Sequence, residues 1–228
     1  FVSGSDLVQR LESIRQCITE TWKLDPENTK LVAANDGTAS DSSEAILWML
    51  KPRFADSDGW VGKNFISKLT VAAKQLVEEN DNIVIVDEFV GTGKQIHRQI
   101  TWLKDQLALR GCKPESIYLC TVARHANVQY DIDALVKEFY STLTISRGIS
   151  DFYEAGQIPT EIANMLRLEG ELSKTKGKSI LPSLGFGKCE ALYSCEIGNT
   201  PNNVFPIFWW KWMNNGFKRA TLVNRVGG

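Results

Sequence analysis
Asp87 and Glu88 stand side by side between an apolar run and a glycine turn, and that placement is where chemistry is to be expected. The run is Ile83, Val84, Ile85 and Val86, all β-branched, which reads as a strand buried on both faces, hence central and parallel. The acids fall where that strand should end, residues 89–93 form a turn, and helical spacing starts at Lys94. Ligands of open α/β sheets bind at the carboxyl ends of strands. A glycine turn that opens a helix offers backbone N–H groups and the positive end of the helix dipole to an anion. Paired carboxylates beside it accept hydrogen bonds from sugar hydroxyls or hold Mg2+ through water. The stretch reads as a cradle for a phosphorylated sugar; the competing reading is an ordinary buried strand with a solvated turn.

Two other phosphate motifs fail on spacing. A Walker A loop needs glycine five residues before the Gly-Lys pair and a hydroxyl after it, but Glu88 and Gln95 occupy those places. The dinucleotide fingerprint matches Gly91 and Gly93 and then meets Ile96 at its third glycine. The stretch instead resembles the phosphoribosyl diphosphate (PRPP) motif of type I phosphoribosyltransferases: an apolar strand, two acids, variable residues, Thr-Gly, a small residue, then Thr or Ser. The matching residues are 83–86, Asp87, Glu88, Thr92 and Gly93; Lys94 and Gln95 depart from the pattern. The resemblance implies that Asp87 and Glu88 hold the ribose 2′- and 3′-hydroxyls, with one of them helping to hold Mg2+. It implies that Val90, Gly91, Thr92, Gly93, Lys94 and Gln95 wrap the 5′-phosphate, where Lys94 adds a charge or narrows the site. The reaction implied is loss of pyrophosphate from C1′ as a nucleophile attacks, helped by donors and Mg2+ around the leaving group.

The elements around this motif alternate. Leu7, Leu11, Ile14 and Ile18 give a helix over residues 5–22. Residues 30–34 form a short strand, 44–50 a helix ended by Pro52, and 65–79 an amphipathic helix before the motif strand. A helix over 95–110 stopped by Gly111, a strand over 117–123, a helix over 131–140 and a last strand over 143–146 follow. Strands and helices in alternation give a doubly wound, mainly parallel α/β sheet. The expected organisation is a helical segment over 1–29, the phosphoribosyltransferase-like core over 30–150 and a C-terminal hood or extension over 151–228. Asn35, Asp36, Gly37 and Thr38 open a loop dense in turn formers, 35–43, that includes Ser40, Ser42 and Ser43. It sits where the resembled family binds pyrophosphate, and Gly37 allows a backbone angle suited to an anion nest. The loop over 53–64 sits where that family carries its lid, which makes Arg53 and Lys63 candidates to reach the diphosphate. A surface turn and solvated charges are the alternatives for these two loops.

The composition is that of a soluble globular protein: 228 residues, 43% hydrophobic and 23% charged, with a net charge of −1. No global basic field argues for nucleic acid, no apolar run approaches a membrane span and no signal peptide opens the chain. The start at Phe1 rather than Met fits a trimmed piece or a domain of something larger. Five scattered cysteines without a C-x-x-C fit reduced thiols in a cytoplasm. With only His97 and His125, and no clustered ligands, a zinc enzyme is disfavoured. His125, after a strand end, is a candidate base, although a lone loop histidine is more often solvated.

Past residue 150 the pattern changes. A helix over 157–172, a basic turn KTKGKS at 174–179 and an alternating strand over 189–197 lead to TPNNVFPIFWWKW at 200–212. The basic turn is a solvated loop or an anion or nucleic-acid contact. The aromatic segment packs on the core, or forms a base-stacking wall or a partner surface. Together with D-E-x-x-x-T-G-K, this tail resembles the phosphoribosyltransferase-like domains of bacterial conflict and anti-phage systems, including retron effectors. That resemblance implies a toxic effector domain restrained by a protein partner or a nucleic-acid-containing defence complex. Three readings stay open: an active transferase or hydrolase on PRPP or a nucleotide, an inactive nucleotide sensor, and a structural subunit whose aromatic segment binds a partner.

Overall fold
The four β-branched residues at 83–86 are each 0% exposed, at the middle of a parallel sheet. The computed structural model describes residues 1–37, 42–76, 81–112 and 116–226. The chain divides into two units: a larger one of residues 5–124 and 129–143, and a smaller one of 1–4, 125–128 and 144–228. The division places the amino-terminal helix with the sheet and starts the carboxyl-terminal part at residue 144.

In chain order the larger unit carries α1 (Gly4–Gln16), extended by a π-helical turn at Cys17–Thr21, then β1 (Thr29–Ala33) and α2 (Ser42–Leu50). There follow β2 (Phe65–Ile66), a short α3 (Leu69–Val71) continued by a π turn over Ala72–Leu76, and β3 (Asn82–Val90). Then come α4 (Lys94–Leu109), β4 (Ser116–His125) and β5 (Glu138–Ser141). These strands lie in the order β2-β1-β3-β4-β5, every neighbour parallel. This is the strand order of a doubly wound sheet, and it reverses between β1 and β3. The helices bury one face each: Leu7, Leu11 and Ile14 on α1, and Ile96, Ile100, Leu103 and Leu107 on α4.

Two expected helices gave way to sheet pairing. Residues 65–66 pair with Leu31 and Val32 of β1, and the Phe65 ring packs 5.4 Å from that of Phe54, so helix begins only at Leu69. The 131–140 segment buries Ile132 and Val136 without forming a helix, because residues 138–141 add β5 to β4. Trp22 Nε1 holds that edge by donating to Glu138 at 2.7 Å. Strand pairing settles local propensity here, as it often does.

The smaller unit contains β6 (Thr144–Ile145), α5 (Ile158–Glu169) and a hairpin of β7 (Thr175–Lys176) and β8 (Ser179–Ile180). The expected strand over 189–197 is reduced to single bridges at Ala191 and Cys195. Its core joins Ile149, Leu184 and Phe205, with Ile162, Met165, Ile207 and Phe208 against them. Two buried carboxylates stand in for regular backbone pairing. Glu190 accepts the N–H groups of Ile149 and Ser150 at 3.1 and 2.8 Å, and Glu169 accepts Ser183 Oγ and Leu184 N at 2.5 and 3.0 Å. Burial raises the Glu169 pKa against those hydrogen bonds. Phe205, Trp209 and Trp210 are buried within this unit, whereas Ile207, Phe208 and Trp212 are half-buried. Among the described residues no helix is long and apolar enough to cross a membrane.

Candidate functional site
Ala33 of β1 lies opposite Val86 of β3, and the Ala34 N–H donates to the Val86 carbonyl at 3.0 Å. β1 ends opposite Val86 while β3 runs on to Val90, and the 34–36 turn is joined to α4 through Gln99 and Arg98, at the point where strand order reverses. Crevices of this kind are where doubly wound sheets bind ligands.

β3 does not stop at the acids. It continues to Val90 in register with β4, with Asp87 opposite Thr121 and Val90 opposite Arg124. Successive strand residues face opposite sides, so the two carboxylates do not share a face. Asp87 is half-buried and its Oδ1 accepts the Glu88 N–H at 2.7 Å, whereas Glu88 is only 3% exposed. The turn follows at 91–93. Gly93 has φ 84° and ψ −9°, a left-handed conformation that glycine adopts without strain, and α4 starts at the next residue. The Thr92 carbonyl accepts the N–H groups of Gln129 and Tyr130 at 2.9 and 3.3 Å, and Thr92 Oγ1 accepts Lys94 N at 3.3 Å. The turn is thus fixed from two directions. Val90 and Gly91 are buried behind it, and Lys94 and Gln95 are exposed on the first turn of α4, at its positive dipole end.

The 35–37 turn is held mainly by its own bonds. Asn35 donates its N–H to Ala33 at 2.7 Å, accepts Leu69 N at its carbonyl at 2.8 Å and accepts Gly37 N at Oδ1 at 2.6 Å. Gly37 takes the expected positive φ, 88°. The N–H groups of Asn35 and Gly37 are therefore engaged inside the turn, which differs from the expected anion nest. Thr38 and Ser40 lie outside the described residues; Ser42 and Ser43 open α2.

Arg53 and Lys63 are placed elsewhere. Asn64, next to Lys63 and 0% exposed, donates Nδ2 to the carbonyls of Pro26 and Thr29 at 2.6 and 2.9 Å, and its Oδ1 accepts Val61 N at 2.9 Å. Thr29 is the first residue of β1, so this segment is tied to the amino-terminal edge of the sheet, opposite the crevice. Arg53 is exposed in the turn that follows α2, beside Phe54, whose ring packs 4.6 Å from that of Trp60. The structure does not bring either cation to residues 87–95.

Sequence reading missed two residues that the fold brings in. Gln99 is 3% exposed on the buried face of α4 and donates Nε2 to the Ala34 carbonyl at 2.8 Å, which locks α4 to the end of β1. A polar residue in register with Ile96, Ile100 and Leu103 was the available signal. Arg98 pairs with Asp36 at 3.6 Å, putting a cation on the rim of the crevice. His125 ends β4 and is buried. Its Nδ1 accepts Asn127 N at 3.1 Å, and burial lowers its pKa, which keeps the ring neutral at pH 7.

The described residues contain no cluster of three or more metal-ligating side chains. A single carboxylate such as Asp87 could hold Mg2+ only with oxygens that a ligand brings, since Mg2+ is usually bound by one or two carboxylates plus substrate phosphates.

The family model PRTase-CE matches residues 1–221. No curated protein matches the chain. Among solved structures, a hypoxanthine-guanine phosphoribosyltransferase from Leishmania tarentolae in complex with GMP aligns at 19% identity and TM-score 0.47, over 64% of this chain and 81% of that one. A hypothetical protein from Neisseria gonorrhoeae with bound ppGpp aligns at 10% identity and TM-score 0.42, over 63% and 81%. The Helicobacter pylori xanthine-guanine-hypoxanthine phosphoribosyltransferase aligns at 12% identity and TM-score 0.38, over 65% and 90%. With the family model spanning nearly the whole chain, this phosphoribosyltransferase-like protein belongs to the PRTase-CE family.

Proposed function
We propose that the crevice between β1 and β3 binds the ribose 5-phosphate part of PRPP or of a nucleotide, with Mg2+, and that the reaction, where one follows, is transfer or hydrolysis at ribose C1′. The observation that carries this reading is the fixed 91–94 turn. Gly93 turns the chain into α4 three residues past the end of β3, the strand that carries Asp87, at the sheet's switch point. The dipole end of α4 and Lys94 would take the 5′-phosphate, and Asp87 would accept from a ribose hydroxyl and share Mg2+ with the ligand. The tail's resemblance to bacterial anti-phage proteins supports a role as a toxic effector domain held in check by a partner. Growth arrest on expression of the chain, absent for Asp87→Asn/Glu88→Gln, would test that role.

A second reading is an inactive nucleotide sensor. It is favoured by the inward-turned N–H groups of Asn35 and Gly37, two donors of the expected pyrophosphate loop that are already engaged. Calorimetric titration with PRPP and Mg2+ tests the binding claim. The wild type should bind and Asp87→Asn/Glu88→Gln should lose at least tenfold in affinity; a folded wild type that binds neither PRPP nor a nucleotide refutes it. Pyrophosphate release separates the transferase from the sensor.

A further inference from the structure
The basic turn and the aromatic tail converge on one cavity. A cavity of ≈ 510 Å³ in the smaller unit is lined by Lys176, Lys178, Lys211 and Arg225, and by the rings of Phe186, Trp209, Trp210 and Trp212. All lining residues lie between 176 and 225, and none belongs to the 35–37 or 87–95 segments. Among the described residues no aspartate or glutamate lines it, and none of its four cations takes part in an ion pair. Arg225 is half-buried, donates Nη1 to the Thr200 carbonyl and lies 5.2 Å over the Trp209 ring. Burial lowers its pKa with no acid to offset the effect. Lys176 stands 3.6 Å from the Trp212 ring centre, so cation and indole share the wall. Phe186 is the ring left open, at 41% exposure.

Positive charge without a paired acid around a half-open cavity calls for an anion, and an open aromatic ring beside it calls for a planar group. We infer that this cavity is a second ligand site, for a nucleobase carrying a phosphate, with the base stacked on Phe186 and the phosphate among Lys178, Lys211 and Arg225. The volume falls in the usual range of small-ligand pockets, roughly 300–1,000 Å³. The base–phosphate unit can come from a free nucleotide or from the end of a single strand. Base–aromatic stacking and cationic tracking of the backbone are how single strands are held without sequence readout. This site does not depend on the carboxylate pair at 87–88.

The test uses the full chain carrying Asp87→Asn/Glu88→Gln, which silences the crevice between β1 and β3. AMP is titrated by calorimetry and a labelled, 5′-phosphorylated oligothymidylate by fluorescence anisotropy. At least one probe should bind, and Phe186→Ala should weaken it about tenfold, within the stacking contribution of a single base. Lys178→Gln/Lys211→Gln should weaken it too, and should flatten the salt dependence of the oligonucleotide by about 0.7 in log–log slope for each phosphate no longer neutralised. Oligonucleotide binding tighter than that of AMP assigns the site to strand ends, and equal binding assigns it to free nucleotides. Failure of both probes to bind a folded protein overturns the inference. So does binding that neither Phe186→Ala nor the lysine pair changes, because all of these side chains except Arg225 are exposed and can be changed without emptying the core.

Discussion

Gly185→Ala is the substitution to which the smaller unit should be most sensitive. Gly185 has φ 79° and ψ 156°, a region essentially restricted to glycine, where any other residue carries about 1–3 kcal/mol of strain. A Cβ there would also lie 1.9 Å from the Asn203 carbonyl oxygen and 2.7 Å from its carbon, so the 202–203 backbone must move away. That movement breaks the hydrogen bonds holding the two segments together: Phe186 N to Asn202 O at 2.8 Å, Asn203 Nδ2 to Phe186 O at 3.0 Å and Ala191 N to Asn203 O at 3.2 Å. At about 1 kcal/mol net for each of the three bonds, the loss adds up with the strain to roughly 4–6 kcal/mol. For a chain of this size that lowers the melting temperature by on the order of 10 °C. The control is Gly216→Ala. Gly216 also has a positive φ, 84°, but a Cβ there meets nothing within 4 Å, so only about 1 kcal/mol should be lost. Urea unfolding followed through the indoles of Trp209 and Trp210 measures both. If Gly185→Ala loses no more than Gly216→Ala, the close approach of the 185 and 203 backbones is wrong, and with it one wall of the basic cavity.

Gly93→Ala should cost about 1–2 kcal/mol and weaken phosphate-ligand binding, while Gly93→Asn, which tolerates the left-handed region better, should recover part of both in parallel melts and titrations. Asn64→Ala removes three hydrogen bonds from a fully buried side chain and should destabilise by about 2–4 kcal/mol in urea. Arg53→Ala/Lys63→Ala should leave PRPP affinity within twofold by calorimetry, because both residues belong to segments away from the crevice; a tenfold loss would reinstate them as a lid. Alkylation at pH 7.5 with mass readout should modify Cys112 first. It is the only half-exposed thiol, whereas burial, and secondarily Glu138, pushes the Cys17 pKa up to about 11 and leaves about one thiolate in three thousand there.

The sheet was legible in the sequence wherever burial on both faces forced a continuous apolar run, as at 83–86 and 117–123. It was illegible where an edge strand is short and defined by its neighbour. Residues 65–66 and 138–141 carry apolar residues compatible with helix, and only pairing with β1 and β4 decides their state. The same limit applied to the site. The turn at 91–93 was readable because glycine chemistry is local. The inward hydrogen bonding of the Asn35 and Gly37 N–H groups was not, because it follows from where the Asn35 amide turns. The tie of Asn64 to Pro26 and Thr29 joins residues 35 and more positions apart, and no spacing rule predicts such a bond.

The fixed 91–94 turn and the closed 35–37 turn bear on what the crevice can do. A phosphoribosyl transferase must hold the 5′-phosphate equally in ground and transition states, but it must favour the departing diphosphate in the transition state alone. On the proposed reading, the 91–94 turn would meet the first demand with a fixed backbone, a helix dipole and Lys94. The second demand falls on donors aimed at the leaving group, where loss of a single donor costs about 10²–10³ in rate. Asn35 and Gly37 both donate inward, so two of the backbone donors expected there are already occupied. Arg98 is paired to Asp36 and largely exposed, where a cation contributes little. Affinity should therefore track the 5′-phosphate more than the diphosphate. Ribose 5-phosphate or AMP should bind within about tenfold of PRPP, whereas a crevice built to expel pyrophosphate would prefer PRPP by far more. A strong PRPP preference would mean that the 35–37 turn reopens on binding and frees its N–H groups.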